Sequence, residues 1–353
     1  MKTIIVNLGA NTYPIYIESS ILESAGFLIK RHLPNAKRIF IVTDSNVVKN
    51  YLISLKEKIT AEGYIVTTKI VKAGEKSKNL NVVTALYNDL VEAKLTRSDA
   101  IVALGGGVIG DLTGFLASTY LRGIKFIQVP TSLLAQVDSS IGGKVAVNLP
   151  AGKNLIGSFY HPSLVIIDPA VLDTLDPRFF LDGLAEVIKY AFIKDEKLYQ
   201  KLLAFKDLDN LKENIIDIIY TCCMIKRDIV ERDEKDTGER MILNFGHTLG
   251  HAIEAVCGYT ECTHGEGVAI GMNIVTKISE KLGLTDPGTH RRVITLLKKY
   301  NLPLEVPDVN REDLFNAMQI DKKNVDSELN LILLRKVGQA YIYKTDVEFF
   351  EGI

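Results

Sequence analysis

The feature of this chain that most constrains its fold is a regular alternation of short apolar runs with amphipathic stretches over roughly its first half. Runs rich in β-branched residues predict strands at 4–8, 15–17, 38–43, 64–71, 100–104, 125–129 and 164–167. Apolar residues at three- and four-residue spacing predict helices at 21–32, 47–60, 79–93 and from the glycines at 105–107 to about 120. Such alternation is typical of a parallel sheet that has helices on both faces and binds ligands at the carboxyl ends of its strands.

The pattern changes after Asp168-Pro169, where long helical periodicity replaces the alternation, for example at 183–192 and 215–230. A late apolar segment at 329–334 predicts one more short strand. A single hydrophobic core usually stops growing near ~250–300 residues. We therefore expect two domains, an α/β domain with a Rossmann-like parallel sheet at 1–175 and a mainly α-helical domain at 176–353.

Composition excludes several classes of protein. The formal net charge of −1 provides no global field that would attract nucleic acid or an anionic membrane. No run of 18 uncharged apolar residues is present, and the N-terminus reads as a strand and turn instead of a signal peptide, so we expect a cytoplasmic protein. The four cysteines form no Cys-x-x-Cys pair, and reduced structural thiols are the expected state.

Glycines follow the predicted strand at 100–104 and match the Gly-x-Gly-x-x-Gly pattern at 105–110. Residues without Cβ let a pyrophosphate approach the backbone and the amides that begin a helix. The motif alone also fits a tight turn without a ligand, and no acidic residue stands about twenty residues downstream to bind a ribose. Asp44 and Glu75 lie upstream instead. This order resembles the nucleotide domain of dehydroquinate synthases and iron-dependent alcohol dehydrogenases.

Three of the six histidines, His247, His251 and His264, fall in one short window. Asn244, His247 and His251 are spaced to share one face of a helix. Neutral imidazoles are common ligands of zinc-like ions, although a single histidine is more often a structural residue. The missing Glu after His247 argues against a zincin protease.

A carboxylate for the same ion is available in the apolar segment 183–193, which only Glu186 and Lys189 interrupt. A buried carboxylate is costly unless it is paired or bound to a cation. An internal Glu–Lys pair and a metal ligand are the two interpretations that this pattern leaves open.

Basic residues beside glycines are candidates for binding an anionic substrate. Lys144 and Lys153 stand on glycine-bearing segments that we expect to be loops. Arg122 follows the helix after the glycine turn, and Lys226 and Arg240 flank the acidic stretch 231–236. Most surface lysines and arginines are simply solvated, so these assignments depend on context.

Taken together, these segments resemble the 3-dehydroquinate synthase family over essentially the whole chain. The most specific stretches are 104–115, 128–154, 183–190, 243–254 and His264-Gly265-Glu266. Ser132 departs from the family, which usually has a second Thr there, but both side chains carry a hydroxyl group.

The resemblance implies an NAD-binding first domain and a second domain that binds metal and substrate. The implied ligands of a zinc or cobalt ion are Glu186, His247 and His264, which places His251 beside the ion as a polar catalytic residue. The implied NAD-binding residues are Asp44, Ala73, Gly74, Glu75, Lys76, Ser77, Lys78, Gly107, Val108, Ile109, Gly110, Asp111, Thr131, Ser132, Lys144, Lys153, Val171, Leu172, Asp173 and Thr174. The implied catalytic and substrate-binding residues are Arg122, Asp138, Lys144, Asn154, Lys189, Lys226, Arg240, Asn244, His251 and one of Lys322 and Lys323.

The resemblance also implies a reaction. It would convert 3-deoxy-D-arabino-heptulosonate 7-phosphate into 3-dehydroquinate and phosphate, in the shikimate pathway of aromatic amino acid biosynthesis, by transient oxidation, β-elimination, reduction and an intramolecular aldol step. A homodimer is implied as well, with Arg122 reaching the site of the second subunit. The alternatives are another sugar-phosphate cyclase, a metal-dependent polyol dehydrogenase, and a non-catalytic NAD-binding protein.

Overall fold

The computed structural model describes residues 1–258, 261–322 and 329–351. The chain divides into two compact units, of which the first comprises Met1–Asp176 with Lys226–Lys235 and the second comprises Pro177–Ile225 with Asp236–Ile353. Within the described ranges, no helix is both long and apolar enough to span a lipid bilayer.

The first unit is organised around a large sheet. Its elements are β1 (Lys2–Val6), β2 (Tyr13–Ile17), α1 (Ala25–His32), β3 (Arg38–Asp44), α2 (Ile53–Ala61), β4 (Ile65–Val71), α3 (Leu80–Glu92), β5 (Ala100–Gly105), α4 (Gly107–Thr119), β6 (Lys125–Pro130), β7 (Lys144–Leu149), β8 (Gly152–Phe159) and β9 (Leu164–Ile167). Seven of the described strands pair in the order β1-β2-β9-β6-β5-β3-β4, and every neighbouring pair is parallel except β1 with β2.

Helices cover both faces of this sheet. Leu28 of α1 and Leu55 of α2 join the apolar cluster on one face. Leu86 of α3 and Leu112 of α4 join the cluster on the other. All six residues of β5 are buried, which explains its continuous apolar run and agrees with a central parallel strand. The prediction of an α/β first half with a parallel sheet is confirmed.

The predicted strands and helices of this unit are all present, and their ends shift by at most two residues. The helices expected from 21 and from 47 begin as a 3₁₀ turn at Ile21–Ser24 and a π turn at Val48–Leu52.

The loops expected around Lys144 and Lys153 are instead an antiparallel hairpin, β7–β8. That prediction was wrong because glycines and Pro150 are typical of loops, whereas the alternating valines at 145 and 147, whose side chains are buried, favour a strand.

The second unit is mainly helical, as predicted. Its elements are α5 (Pro177–Lys194), α6 (Glu196–Ala204), α7 (Leu208–Glu213), α8 (Ile215–Arg232, counted with the first unit from Lys226), α9 (His247–Val256), α10 (His264–Lys281), α11 (Thr289–Lys299), α12 (Arg311–Lys322), β10 (Leu329–Lys336) and β11 (Gln339–Thr345). The strand predicted at 329–334 is confirmed as β10. Its antiparallel partner β11 was not predicted, although its Tyr-Ile-Tyr run at 341–343 favours a strand.

Helices α9 and α10 approach each other until their backbones touch. A Cβ atom added to Gly271 would lie 1.9 Å from the carbonyl oxygen of Gly246, and one added to Gly250 would lie 2.9 Å from the carbonyl carbon of Gly267. Both distances are far below a normal contact, so glycine is required at this crossing. The two helices thereby fix the separation of the residues at their N-termini, His247 and His264.

The expectation that Asn244, His247 and His251 share one helix face was wrong for Asn244. Gly246 adopts a left-handed conformation, with φ of 80°, and α9 begins only at His247. Asn244 ends a preceding 3₁₀ turn, Glu239–Asn244, and is exposed. The spacing rule failed because the glycine ends the first helical turn before the second begins.

Candidate active site

Glu186 lies in the middle of α5 and is completely buried. A buried carboxylate requires a nearby cation or several hydrogen bonds. Lys189, one turn later on the same helix, is also buried, and its Nζ contacts Oε2 of Glu186. The internal Glu–Lys pair is therefore present, but it involves only one of the two carboxylate oxygens.

The other carboxylate oxygen faces two imidazoles. Nε2 of His247 and Nε2 of His264 each lie 3.4 Å from Oε1 of Glu186. Ligand atoms of these three residues all lie within 4.8 Å of one another. Atoms that bind a tetrahedral ion at about 2.0–2.1 Å are separated by roughly 3.4 Å. The spacing therefore fits one zinc-sized ion among three helices.

The second nitrogen of each imidazole has its own partner. Nδ1 of His247 lies 3.1 Å from the carbonyl oxygen of Phe245, and Nδ1 of His264 lies 3.0 Å from Oε2 of Glu254. With Nδ1 as the donor in both pairs, Nε2 is directed towards Glu186. Metal-binding histidines usually donate their other N–H to a carbonyl or carboxylate, which fixes the tautomer and the ring.

The charges of the two imidazoles differ. Burial lowers the pKa of His247 well below its usual value, and the nearby Lys189 ammonium lowers it further. Burial alone would also lower the pKa of His264, but hydrogen bonds to Glu186 and Glu254 outweigh it and raise the pKa to about 10. Without an ion, a proton on His264 thus faces the Glu186 carboxylate. An ion bound there would take the place of this proton.

A second group of potential ligands, His251, Glu254 and His264, overlaps the first. It suits an ion less well, because Glu254 already accepts the hydrogen bond from Nδ1 of His264 and His251 is exposed. The His251 ring lies edge-on to that of His247, with centroids 5.2 Å apart. This arrangement places His251 beside the candidate ion position.

Other predicted substrate residues of the second unit differ in exposure. Arg240 is buried, whereas Asn244 is exposed. The predicted contact from Lys322 or Lys323 lies outside the described residues, since Lys323 is not described and nothing is known of the Lys322 side chain.

The predicted dinucleotide residues of the first unit lie at the carboxyl edge of its sheet. From β3 the chain continues to β4 on one side and then crosses to β5 on the other, so β3 and β5 flank a topological switch point. Ligands of open α/β sheets bind at such a point. Asp44 ends β3 and the glycine turn follows β5, so both candidates flank it.

Two glycines of the turn, Gly107 and Gly110, have a packing reason. A Cβ at Gly110 would lie 2.8 Å from Oε1 of Gln128 on β6, and one at Gly107 would lie 3.1 Å from Oγ of Ser139. Helix α4 therefore sits close against the sheet. Its N-cap residue, Gly106, provides no side-chain cap, so the first amides of α4 are available to an anion.

The loop after β4 meets α4 and the β7–β8 hairpin through one lysine. Lys78 is buried, and its Nζ donates to Oδ2 of Asp111 and to Oδ1 of Asn154, both at 2.6 Å. Burial raises the pKa of the Asp111 carboxyl, an effect that the Lys78 ammonium opposes. Three residues that the family resemblance assigns to ligand binding are thus brought together.

The remaining predicted residues of this edge are close to backbone turns. Thr131 follows β6 and its amide donates to Gly105, while Oγ of Ser132 accepts from Ala135. Val171–Thr174 lie in a 3₁₀ turn after β9, where Tyr51 donates to the Val171 carbonyl. Residues 73–78 include Gly74 at φ of 101° and a 3₁₀ turn at Glu75–Ser77.

The first unit contains two further basic residues that are candidates for substrate binding, Lys226 and Arg122. Lys226 is buried, and its Nζ donates to the backbone oxygen and Oδ1 of Asp138 at 2.7 and 2.8 Å. Arg122 is exposed. Both Arg122 and the preceding Leu121 adopt a left-handed backbone conformation, with φ of 64° and 51° respectively. Two such non-glycine residues in succession are uncommon and mark a constrained segment.

Comparison with known proteins identifies the family. Residues 68–182 match the model of the 3-dehydroquinate synthase N-terminal region, and residues 183–324 match that of the C-terminal region. A 3-dehydroquinate synthase of Clostridium perfringens (strain SM101 / Type A) is 55% identical over 99% of this chain and 100% of its own length. The chain belongs to the 3-dehydroquinate synthase family.

Solved structures related to this 3-dehydroquinate synthase family member share its fold. A 2-deoxy-scyllo-inosose synthase complexed with carbaglucose-6-phosphate, NAD⁺ and Co²⁺ is 27% identical, with a TM-score of 0.90 over 99% of this chain and 98% of that one. ValA, a 2-epi-5-epi-valiolone synthase from Streptomyces hygroscopicus subsp. jinggangensis 5008 with NAD⁺ and Zn²⁺ bound, is 24% identical, with a TM-score of 0.88 over 98% of this chain and 96% of that one. The predicted dehydroquinate synthase-like fold is confirmed.

Three residues that support the site were not predicted from the sequence. Glu254 accepts from His264, and Asp182 accepts from the Gly265 amide at the start of α10. Asn148 connects Glu75 with Asn154. Helical spacing offered a signal for two of them, since Asp182 precedes Glu186 by one turn and Glu254 follows His251 by one turn. Asn148 offered none, because its contacts with Glu75 and Lys78 are distant in sequence and its contact with Asn154 depends on the unpredicted hairpin.

Proposed function

We propose that this chain is a 3-dehydroquinate synthase that converts 3-deoxy-D-arabino-heptulosonate 7-phosphate into 3-dehydroquinate and inorganic phosphate. The observation that carries the proposal is the convergence of Nε2 of His247 and Nε2 of His264 on Oε1 of the buried Glu186, each at 3.4 Å. The enzyme would act in the shikimate pathway as a phosphate-eliminating lyase. The 55% identity to a 3-dehydroquinate synthase supports this substrate over that of the 27% identical inosose synthase.

Glu186, His247 and His264 would hold a zinc or cobalt ion. The bound ion would polarise a ring hydroxyl of the substrate as a Lewis acid, and bound NAD⁺ would accept a hydride and return it, so that no net oxidation occurs. Nζ of the buried Lys189 contacts Oε2 of Glu186, which leaves Oε1 for the ion. Glu254 and the Phe245 carbonyl orient the two imidazoles.

NAD⁺ would bind at the switch point of the first unit. Asp44 at the end of β3 provides a carboxylate for a ribose, and α4, which begins with Gly107–Asp111, would direct the amides of its first turn at the pyrophosphate. Residues 73–78, Thr131, Ser132 and 171–174 surround the same edge, and Lys153 and Lys144 add positive charge.

The phosphate group would be stabilised by cations from this chain and a second copy. Lys144, Lys153 and Asn154 lie on the β7–β8 hairpin, and Arg122 would reach in from the partner subunit of a homodimer. Positive charge at the leaving phosphate stabilises the transition state of β-elimination. Lys226, which Asp138 holds in place, would support the substrate carboxylate.

Proton transfers would be assigned to residues beside the ion. His251 is exposed next to His247, so it can exchange a proton with the substrate and with solvent. Asn244, also exposed, would orient a substrate hydroxyl. We place the enzyme in the cytoplasm, as fits a soluble biosynthetic substrate.

The test is to incubate the purified enzyme with the heptulosonate phosphate and measure phosphate and 3-dehydroquinate together. We expect equal amounts of both, no lasting absorbance change at 340 nm, and loss of turnover when metal is chelated or NAD⁺ is removed. Glu186→Gln should remove turnover, whereas Glu305→Gln, an exposed control, should not. A stoichiometric rise at 340 nm would identify a polyol dehydrogenase, and turnover only with a hexose or heptulose phosphate that lacks the carboxylate would identify another cyclase.

A further inference from the structure

Two segments with different proposed ligands meet in the first unit. The cofactor loop, Ala73–Lys78, would contact NAD⁺ alone, whereas the β7–β8 hairpin would contact the phosphate through Asn154 and both ligands through Lys153. Inside the unit they are joined by an isolated parallel bridge between Asn79 and Asn148 and by the Lys78–Asn154 hydrogen bond.

Asn148, near the end of β7, makes three hydrogen bonds to these segments. Its backbone amide donates to the Lys78 carbonyl at 2.8 Å. Its side-chain Nδ2 donates to Oε1 of Glu75 at 2.7 Å, and its Oδ1 accepts from the Asn154 amide at 2.9 Å. One primary amide therefore connects the acidic residue of the cofactor loop with the backbone of Asn154.

Asn154 depends on such a connection. It adopts a left-handed conformation, with φ of 56°, which asparagine tolerates better than most residues but which still needs support from its surroundings. The Asn148 Oδ1 bond and the Lys78 Nζ bond hold its backbone and its side chain from two directions. A displacement of the cofactor loop would disturb both.

The chemistry at Asn148 requires an amide. An aspartate there could still accept from the Asn154 amide, but its second oxygen would face the Glu75 carboxylate and repel it. An alanine would leave both Glu75 and the Asn154 amide without this partner.

We propose that Asn148 is a positioning residue that couples the cofactor loop to the phosphate-binding hairpin, so that NAD⁺ and the phosphate group favour each other's binding. This inference rests on the proposed function, since it takes NAD⁺ and a phosphate ester as the two ligands. Coupling of two sites is reciprocal and commonly amounts to fivefold or more in affinity. Asn148 would touch neither reacting atom and would act through Glu75 and Asn154.

The experiment measures the dissociation constant of NAD⁺ for the metal-loaded enzyme by calorimetry, with and without saturating inorganic phosphate. In the native protein we expect phosphate to tighten NAD⁺ binding about fivefold or more. In Asn148→Ala this ratio should fall close to one, and KM for the heptulosonate phosphate should rise more than kcat falls. Asn88→Ala, at an exposed site of α3, is the matched control and should keep the native ratio.

A double variant that exchanges the amide of residue 148 with the carboxylate of residue 75 distinguishes loss of coupling from damage to the fold. Asn148→Asp should abolish the phosphate effect, and adding Glu75→Gln should partly restore it, because the amide and carboxylate then change places. A phosphate effect that Asn148→Ala leaves intact, or one absent from the native protein, would overturn the inference. Failure of the native protein to bind NAD⁺ at all would instead overturn the proposed function.

Discussion

At the scale of single residues, the candidate metal centre depends on the two nitrogens of each imidazole having different partners. Nε2 of His264 faces Glu186, while its Nδ1 faces Glu254. The carboxylate of Glu254 is buried, so its charge acts on the ring with little screening by water. The orientation of the ring is thus set by a residue that need not touch the ion.

Glu254→Gln is predicted to weaken zinc binding by roughly 10- to 100-fold, because a neutral amide is a poorer acceptor for Nδ1–H and leaves Nε2 less basic. Competition with a chelator of known affinity measures the change. Glu305→Gln, at an exposed site of the same unit, serves as the control. Unchanged zinc affinity in Glu254→Gln would show that this hydrogen bond does not orient the ligand.

Asp99 illustrates a structural carboxylate at the same scale. It is buried, and it accepts from the backbone amides of Lys37, Arg38 and Thr96 and from the Thr96 hydroxyl. Burial would raise its pKa, but these four hydrogen bonds outweigh burial and lower it. A lowered folded-state pKa adds stability above the unfolded value of about 3.9, and this stability is lost as the pH falls through the folded value.

Asp99→Asn is therefore predicted to lower the free energy of unfolding by about 2–3 kcal/mol at pH 7, since the amide NH₂ cannot accept from Thr96. The difference from the native protein should shrink below about pH 4. Urea unfolding at several pH values measures it, with the exposed Asp308→Asn as control. A difference that stays constant with pH would contradict the role of the charge.

Residue chemistry determined how much of the site could be predicted. Glu186 could be predicted as a candidate ligand because a carboxylate buried in an apolar helix is costly unless it is paired or bound to a cation. Lys78, Asp111 and Asn154 came from the family resemblance, and only the structure shows that they share hydrogen bonds. Asn148 could not be predicted from pattern, because Glu75 lies 73 residues away along the chain and Asn154 is brought close only by the unpredicted hairpin.

At the scale of elements, the strand–helix alternation of the first unit was predictable because burial on both faces of a sheet produces continuous apolar runs. The β7–β8 hairpin was not, because one of its strands is largely exposed and carries no such run. The start of α9 was also misplaced. The spacing of Asn244, His247 and His251 fits one helix, but Gly246 adopts a left-handed conformation and separates Asn244 from α9.

The crossing of α9 and α10 leads to a prediction at this scale. Gly271→Ala would place a methyl group 1.9 Å from the Gly246 carbonyl oxygen, which forces the two helices apart. We expect a loss of about 1–3 kcal/mol in unfolding free energy and weaker zinc retention. Gly63→Ala, where a Cβ meets open space but φ is 87°, measures the cost of backbone strain alone. Equal effects at both positions would argue against the steric account.

At the scale of the whole molecule, the proposed ligands of the two cofactors belong to different units. The proposed metal ligands belong to α5, α9 and α10 of the second unit, and the residues assigned to NAD⁺ belong to the first. A ligand that binds only the folded state stabilises it according to its concentration relative to Kd. Each cofactor should therefore protect its own unit.

Chelation of the metal is predicted to lower the thermal midpoint of the second unit by several degrees, as about 2.7 kcal/mol is lost when an ion at 100 times its Kd is removed. Zinc should restore the midpoint, and Glu186→Gln should abolish the response to zinc. NAD⁺ should still protect the first unit of the chelated protein from proteolysis. A midpoint that chelation does not change would contradict the assigned ligands.

The bare backbone contact between α9 and α10 has a consequence for ion selectivity. At the glycine contacts no side chain separates the two helices, so little can compress or rearrange there when ions of different radius enter, and His247 and His264 are the first residues of these helices. Such a frame suits zinc and cobalt, which are nearly the same size, and penalises larger ions such as cadmium or calcium. Discrimination among metals would then depend on the absence of Cβ atoms at Gly250 and Gly271, which lets the two helices touch.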